Sequence, residues 1–250
     1  MSENSDAYER KIASAINAIP GVKATRPSVG PEYSDVKITQ FNGKSTVVWL
    51  EVKMNHTDNL ANPRVFYQDG AWRTTYKTPA AGNAVELLNK SDDAKKFIRD
   101  IAKYTGIPKR SLIVPTTIGM LGEEGAVPLR TMREYVEQPG HDRYIIKVED
   151  LNLGEIITNH YIKGKREPAH YMQAGDDFYM ISNKNPLGLT HSIPLLSGRG
   201  NFNMRVSTRT NYYEVQAELK IKSMPDSGYS IMPGTKKLNP FTSGMQGEKK

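Results

Sequence analysis

Apolar residues recur at three- and four-residue steps from Tyr8 through Ile12, Ala15 and Ile16 to Ile19. That spacing makes one apolar face and predicts an amphipathic helix over residues 5–18. Ser5 and Asp6 are its candidate caps, and Pro20-Gly21 stops it. The rhythm then changes to alternation. DVKITQF (residues 35–41) and STVVWLEVKM (45–54) read as strands joined by Asn42-Gly43, a strong hairpin dipeptide. In the second strand Val48, Leu50 and Val52 share one face, and Val47, Trp49, Glu51 and Lys53 share the other.

Another hairpin is expected around Asp69-Gly70. Residues 83–104 carry helical periodicity through Val85, Leu87, Leu88, Ala94, Phe97, Ile98 and Ile101, with a break that Ser91 caps. RSLIVPT (110–116) reads as a short strand, VPLRTMREYVEQ (127–138) as a short helix and RYIIKVED (143–150) as a strand. LGEIITNHYIKG (153–164) is ambiguous between helix and strand. From about 175 short strands dominate, in DFYMISN, NMRVSTRT and YYEVQAELKIKS. The fold class expected is α/β (α+β), with a core over 1–115 that carries an insertion at about 54–82. A β-rich region over 116–235 and a flexible basic tail over 236–250 complete the expected organisation.

Composition narrows the function classes. The chain has 250 residues, 38% hydrophobic and 24% charged, which fits a soluble globular protein. Its net charge of +7 suits a polyanionic partner without identifying one. There is no cysteine, so disulfides, thiol catalysis and cysteine-ligated zinc are excluded. The histidines show no metal-ligand spacing. No stretch approaches the ~20 apolar residues of a membrane helix. The polar start MSENSDAYERK lacks a signal-peptide core, so a cytoplasmic protein without membrane contact is expected.

The residues that carry chemistry are Asp35 and the tripeptide Glu51-Val52-Lys53. Alternation puts Glu51 and Lys53 on one side of their strand, and the hairpin can bring Asp35 beside them. Two carboxylates then share a small site with an ammonium. Hard oxygen ligands suit Mg²⁺, with Mn²⁺ as a substitute, and the Val52 carbonyl is a candidate third ligand. Such a cation polarises a phosphate and lowers the pKa of a bound water. Lys53 is placed to orient that water or to neutralise growing charge. The competing reading is a surface strand with alternating charges, but the apolar back face and Trp49 argue for burial, where charges need compensation. Gly43-Lys44-Ser45 echoes a P-loop ending, but Ile38 stands where its first glycine belongs and a strand follows.

These residues resemble the PD-(D/E)XK nuclease superfamily, which includes restriction enzymes, phage exonucleases and junction resolvases. SDVKI supplies the first acidic residue as Asp35, and WLEVKM supplies E-x-K as Glu51 and Lys53. Fifteen residues separate Asp35 from Glu51, a usual gap for that family. The resemblance covers roughly the first 115 residues, and Ser34 stands where the family's proline would be. It implies a restriction-endonuclease-like αβββαβ core with a mostly β C-terminal region. It also implies a Mg²⁺-dependent deoxyribonuclease, endonuclease in type, from a bacterium or phage-infected cell. By the same resemblance Glu9 is the extra acidic residue of the first helix, and the enzyme is a homodimer on DNA. The alternative is a catalytically inactive nucleic-acid-binding protein, or a phage structural protein, with a nuclease-like fold.

Candidate DNA contacts are Lys37, His56, Arg64, Gln68, Arg73 and Arg199. Arg64, Gln68 and Arg73 are interleaved with Phe66, Tyr67 and Trp72, a mixture that suits a nucleic-acid surface. A small hairpin packing its aromatics on a core explains the same pattern. Arg199, Arg205 and Arg209 read equally as a phosphate strip or as a solvated β surface.

Overall fold

The computed structural model describes residues 3–27, 34–55, 59–141, 144–163 and 166–243. The chain forms two compact units, one of residues 1–58, 152–199 and 221–250 and the other of residues 59–151 and 200–220.

The first unit is built on a five-stranded sheet of order β1 (Lys23–Thr25), β2 (Val36–Phe41), β3 (Lys44–Lys53), β8 (Ala169–Ala174) and β9 (Asp177–Met180). Helix α1, Glu3–Asn17, leads into β1, Lys23–Thr25. It starts before Ser5, so that residue lies inside its first turn rather than capping it. Its far end is tied down by Asn17, whose side chain donates to the Ala24 carbonyl at 2.9 Å and accepts from the Ala24 N–H at 2.8 Å.

Strands β2 (Val36–Phe41) and β3 (Lys44–Lys53) form the expected antiparallel hairpin, with Val36 opposite Leu50 and Ile38 opposite Val48. Asn42 and Gly43 both hold positive φ, 51° and 76°, the conformation of a type I′ turn. Residues 48–52 are all buried. A strand that is dry on both faces needs a layer on each side. On one face Val48, Leu50 and Val52 join Ile12 and Ile16 of α1 in the core. Near the other face lies α5, Gly154–Thr158, continued by a π-helical turn, Asn159–Lys163, that packs beside β8.

Strand β8, Ala169–Ala174, pairs parallel with β3, placing Met172 opposite Glu51 and Gln173 opposite Val52. Strand β9, Asp177–Met180, then pairs antiparallel with β8. The apolar spacing of Leu153, Ile157 and Tyr161, all fully buried, resolves the ambiguous segment as helix.

The second unit contains β4 (Asn59–Ala61), the hairpin β5 (Phe66–Gln68) and β6 (Ala71–Arg73), α2 (Pro79–Lys90), α3 (Asp92–Thr105) and α4 (Leu129–Val136). With β7 (Tyr144–Asn152), β10 (Arg199–Thr208) and β11 (Tyr213–Ser223), β4 forms a four-stranded sheet of order β4-β11-β10-β7. Trp72 stacks on Phe97 with ring centroids 6.3 Å apart. Asn89 grips the Trp72 backbone twice, accepting its N–H at 2.9 Å and donating to its carbonyl at 3.1 Å.

Three differences from the sequence reading stand out. The helices over 83–104 lie in the second unit, whereas the core that holds Glu51 takes α5 and β8 from beyond residue 152. The segment 110–116 contributes only isolated bridges at Ile113 and Val114. Residues 236–243 are no free tail: Phe241 is 1% exposed, in ring contact with Phe41 and Phe178, and Lys237 is paired with Asp177. The end of the expected tail, 244–250, lies outside the described residues. Among the described residues no helix is long and apolar enough to cross a membrane.

Candidate active site

The site forms where β2 begins and β3 ends. The register that sets Val36 against Leu50 leaves Asp35 beside the last residues of β3. Its Oδ2 accepts the Val52 N–H at 2.8 Å, between Glu51 and Lys53. Glu51 is 2% exposed, and its Oε1 takes the Lys53 Nζ at 2.8 Å. Lys53 Nζ also sits 6.0 Å from the centre of the Tyr161 ring.

Charge accumulates unevenly here. Burial raises the Asp35 pKa, Glu51 and Glu9 raise it further, and Lys53 and the Val52 N–H pull it down; the outcome is about 7. For Lys53 burial works against the charge. Glu51, Tyr161 and Asp35 outweigh it, and the ammonium is held well above its ordinary value. The site therefore keeps Lys53 cationic and has one carboxylate too many for that single cation.

Glu9 reaches the same neighbourhood from α1. It is 4% exposed, and Arg26 Nε donates to its Oε2 at 2.7 Å. Arg26 is also paired with Asp6. Nothing in the sequence pattern singled out Arg26. Tyr161 had a signal, the four-residue spacing with Leu153 and Ile157, but it lay in the ambiguous segment.

Comparison with protein-family models, curated proteins and solved structures finds no match.

Asp35, Glu51, Val52 and Lys53 thus lie together at one strand end, with Glu9 near enough to act on the Asp35 charge. Among the described residues no group of three His, Cys, Asp or Glu side chains stands ready to hold a metal ion. The donors on hand are two carboxylates, with the Val52 carbonyl on the same strand. That set suits a cation such as Mg²⁺, which retains several waters and needs only one or two carboxylates from the protein. The Asp35 pKa, raised first by burial and then by Glu51, supports the fit, because a dication would offset both.

The candidate DNA contacts do not gather in the same way. Lys37 lies on β2 with its Nζ 5.6 Å from the centre of the Trp49 ring. Arg199 is exposed at the start of β10. In the second unit Arg64 is paired with Glu214 at 2.8 Å, Gln68 donates to Glu123 at 3.2 Å and Arg73 is paired with Asp69 at 3.3 Å. Tyr67 and Trp72 are buried, so the hairpin packs its aromatics inward. Arg209 and Arg205 are likewise engaged with the buried Glu214 and Glu218. His56 lies outside the described residues.

Proposed function

We propose that this chain is a metal-dependent nuclease that hydrolyses phosphodiester bonds in DNA, of the PD-(D/E)XK type. The observation that carries the reading is the hydrogen bond from the Val52 N–H to Asp35, which draws Asp35 to the strand end bearing Glu51 and Lys53. The first unit adds support through its order of elements: a helix, an antiparallel β1-β2-β3 meander, a second helix, and a strand parallel to β3. That order fits the αβββαβ pattern expected of the superfamily, with residues 59–151 of the second unit between β3 and α5 and residues 200–220 after β9.

In this reading Asp35, Glu51 and the Val52 carbonyl would hold Mg²⁺ or Mn²⁺. When bound, such an ion polarises the phosphate and acidifies a water. Asp35 is oriented for the task by the Val52 N–H, and β3 fixes Glu51 in a dry, rigid setting. Lys53 stays protonated beside Glu51 and supplies positive charge where the pentavalent phosphate becomes more anionic. The Tyr161 ring faces the ammonium at 6.0 Å. Endonuclease action and a homodimer belong to the same proposal.

The test is plasmid incubated with Mg²⁺ or Mn²⁺, using the parent, Asp35→Ala and Lys53→Ala. Nicking or linearisation by the parent, lost in both variants, is expected. If DNA is bound but never cut with either metal, the chain is a binding protein with a nuclease-like fold. If it is neither bound nor cut, the motif is accidental.

A further inference from the structure

Helix α3 is capped at both ends, and its buried residues define which side faces outward. The Ser91 side chain accepts the Ala94 N–H at its start, and Gly106 ends it at a φ of 73°. Ala94, Phe97, Ile98 and Ile101 are buried. At about 100° per residue, Lys95, Lys96, Arg99 and Lys103 fall within one arc on the opposite side. All four are exposed. Lys95, Arg99 and Lys103 follow one another about 6 Å apart along the axis.

Carboxylates account for only part of this charge. Lys95 is paired with Asp92 at 3.1 Å and Lys96 with Asp100 at 2.6 Å. Arg99, Lys103, Lys109 and Arg110 make no ion pair among the described residues. Lys109 belongs to the same surface, because it and Lys95 line one cleft of about 200 Å³. The contrast with Arg64, Arg73, Arg205 and Arg209, all engaged by carboxylates, is direct.

We infer that the outer face of α3, extended by Lys109, grips the phosphate backbone of a DNA duplex. The inference rests on the nucleic-acid reading above and adds the surface on the second unit that would hold the substrate. A duplex carries one negative charge per about 1.7 Å of its axis, so Arg99 and Lys103, about 6 Å apart, can each meet a phosphate, with Lys95 and Lys96 beside them. Contacts of this kind hold DNA without reading its sequence.

The experiment measures binding of a fluorescent DNA duplex in EDTA, where no cutting occurs, across a salt series. Arg99→Ala/Lys103→Ala is compared with Lys90→Ala/Arg130→Ala, a control that removes two exposed cations already paired with Glu86 and Glu134. The first variant is expected to bind about tenfold more weakly, with a log Kd against log salt slope flatter by about 2. The control should stay within about twofold of the parent. If the parent cuts plasmid while the Arg99/Lys103 variant binds as tightly as the parent, the α3 surface is overturned and the nuclease reading stands. If the parent neither binds nor cuts DNA, both fall together.

Discussion

Asp35 and Val52 are joined across the mouth of the β2–β3 hairpin, the Val52 N–H donating to Asp35 Oδ2 at 2.8 Å. The bond fastens a carboxylate that burial and Glu51 push toward its neutral form, up to about 7. The arrangement costs stability whenever Asp35 is ionised, which is common where function rather than folding sets the charges.

The sign of that cost gives a measurable slope. The folded-state value of about 7 lies above the ordinary 3.8, so the folded protein binds this proton more tightly than the unfolded chain does. The resulting stabilisation is complete below about 3.8 and is lost as pH rises through about 7. Asp35→Asn keeps an acceptor for the Val52 N–H and cannot ionise. Without metal the variant is expected to match the parent near pH 4 and to exceed its stability at pH 8, by up to about 4 kcal/mol. Denaturant melts at both pH values check this; an equal difference at the two would refute it.

Glu51 and Lys53 form the second measurable pair. Lys53→Met leaves the Glu51 carboxylate buried beside an apolar side chain, a change expected to cost about 3 kcal/mol. Glu51→Gln/Lys53→Met removes both charges and should recover most of that loss. A double-mutant cycle by chemical denaturation gives the coupling directly. Additive single effects would mean that the 2.8 Å pair contributes nothing to the fold.

The hairpin and its trio were legible in the sequence because each rests on local chemistry. Period-two alternation set the faces of β3, and Asn42-Gly43 set the turn. The rest of the core was not legible, because the strand that pairs with β3 comes only after residues 59–151 in the chain. A parallel pairing between Glu51 and Met172 leaves no mark in either segment alone. By position in the chain alone, the helices over 83–104 are the nearest ones able to complete the core. The fate of the arginines was equally hidden, since sequence gives a charge but not its partner. Arg64 looks the same whether it meets a phosphate or Glu214.

Tyr161 separates the effect of a ring from that of a hydroxyl. Its ring lies 6.0 Å from Lys53 Nζ in a fully buried position. Tyr161→Phe keeps that face, whereas Tyr161→Leu removes it. A buried cation–π contact is worth about 2 kcal/mol. Tyr161→Leu is thus expected to lose about that much stability and at least tenfold in any DNA cleavage, with Tyr161→Phe close to the parent in cleavage. Equal losses in the two variants would assign the effect to the hydroxyl.

Phe241 tests whether the end of the described chain belongs to the core. Glycine, proline and lysine around it give its segment the texture of a tail. Yet its ring lies 6.0 Å from that of Phe41 and 5.9 Å from that of Phe178, so it closes the core beneath the β2–β3 turn. The aromatic area involved outweighs the entropy of holding a few residues in place. Phe241→Ala would leave a cavity between Phe41 and Phe178 and is expected to cost about 3 kcal/mol. Because β3 shares this core with Phe178, the loss should also lower any metal-dependent cleavage near the melting temperature. A variant that melts with the parent would place Phe241 outside the folded unit.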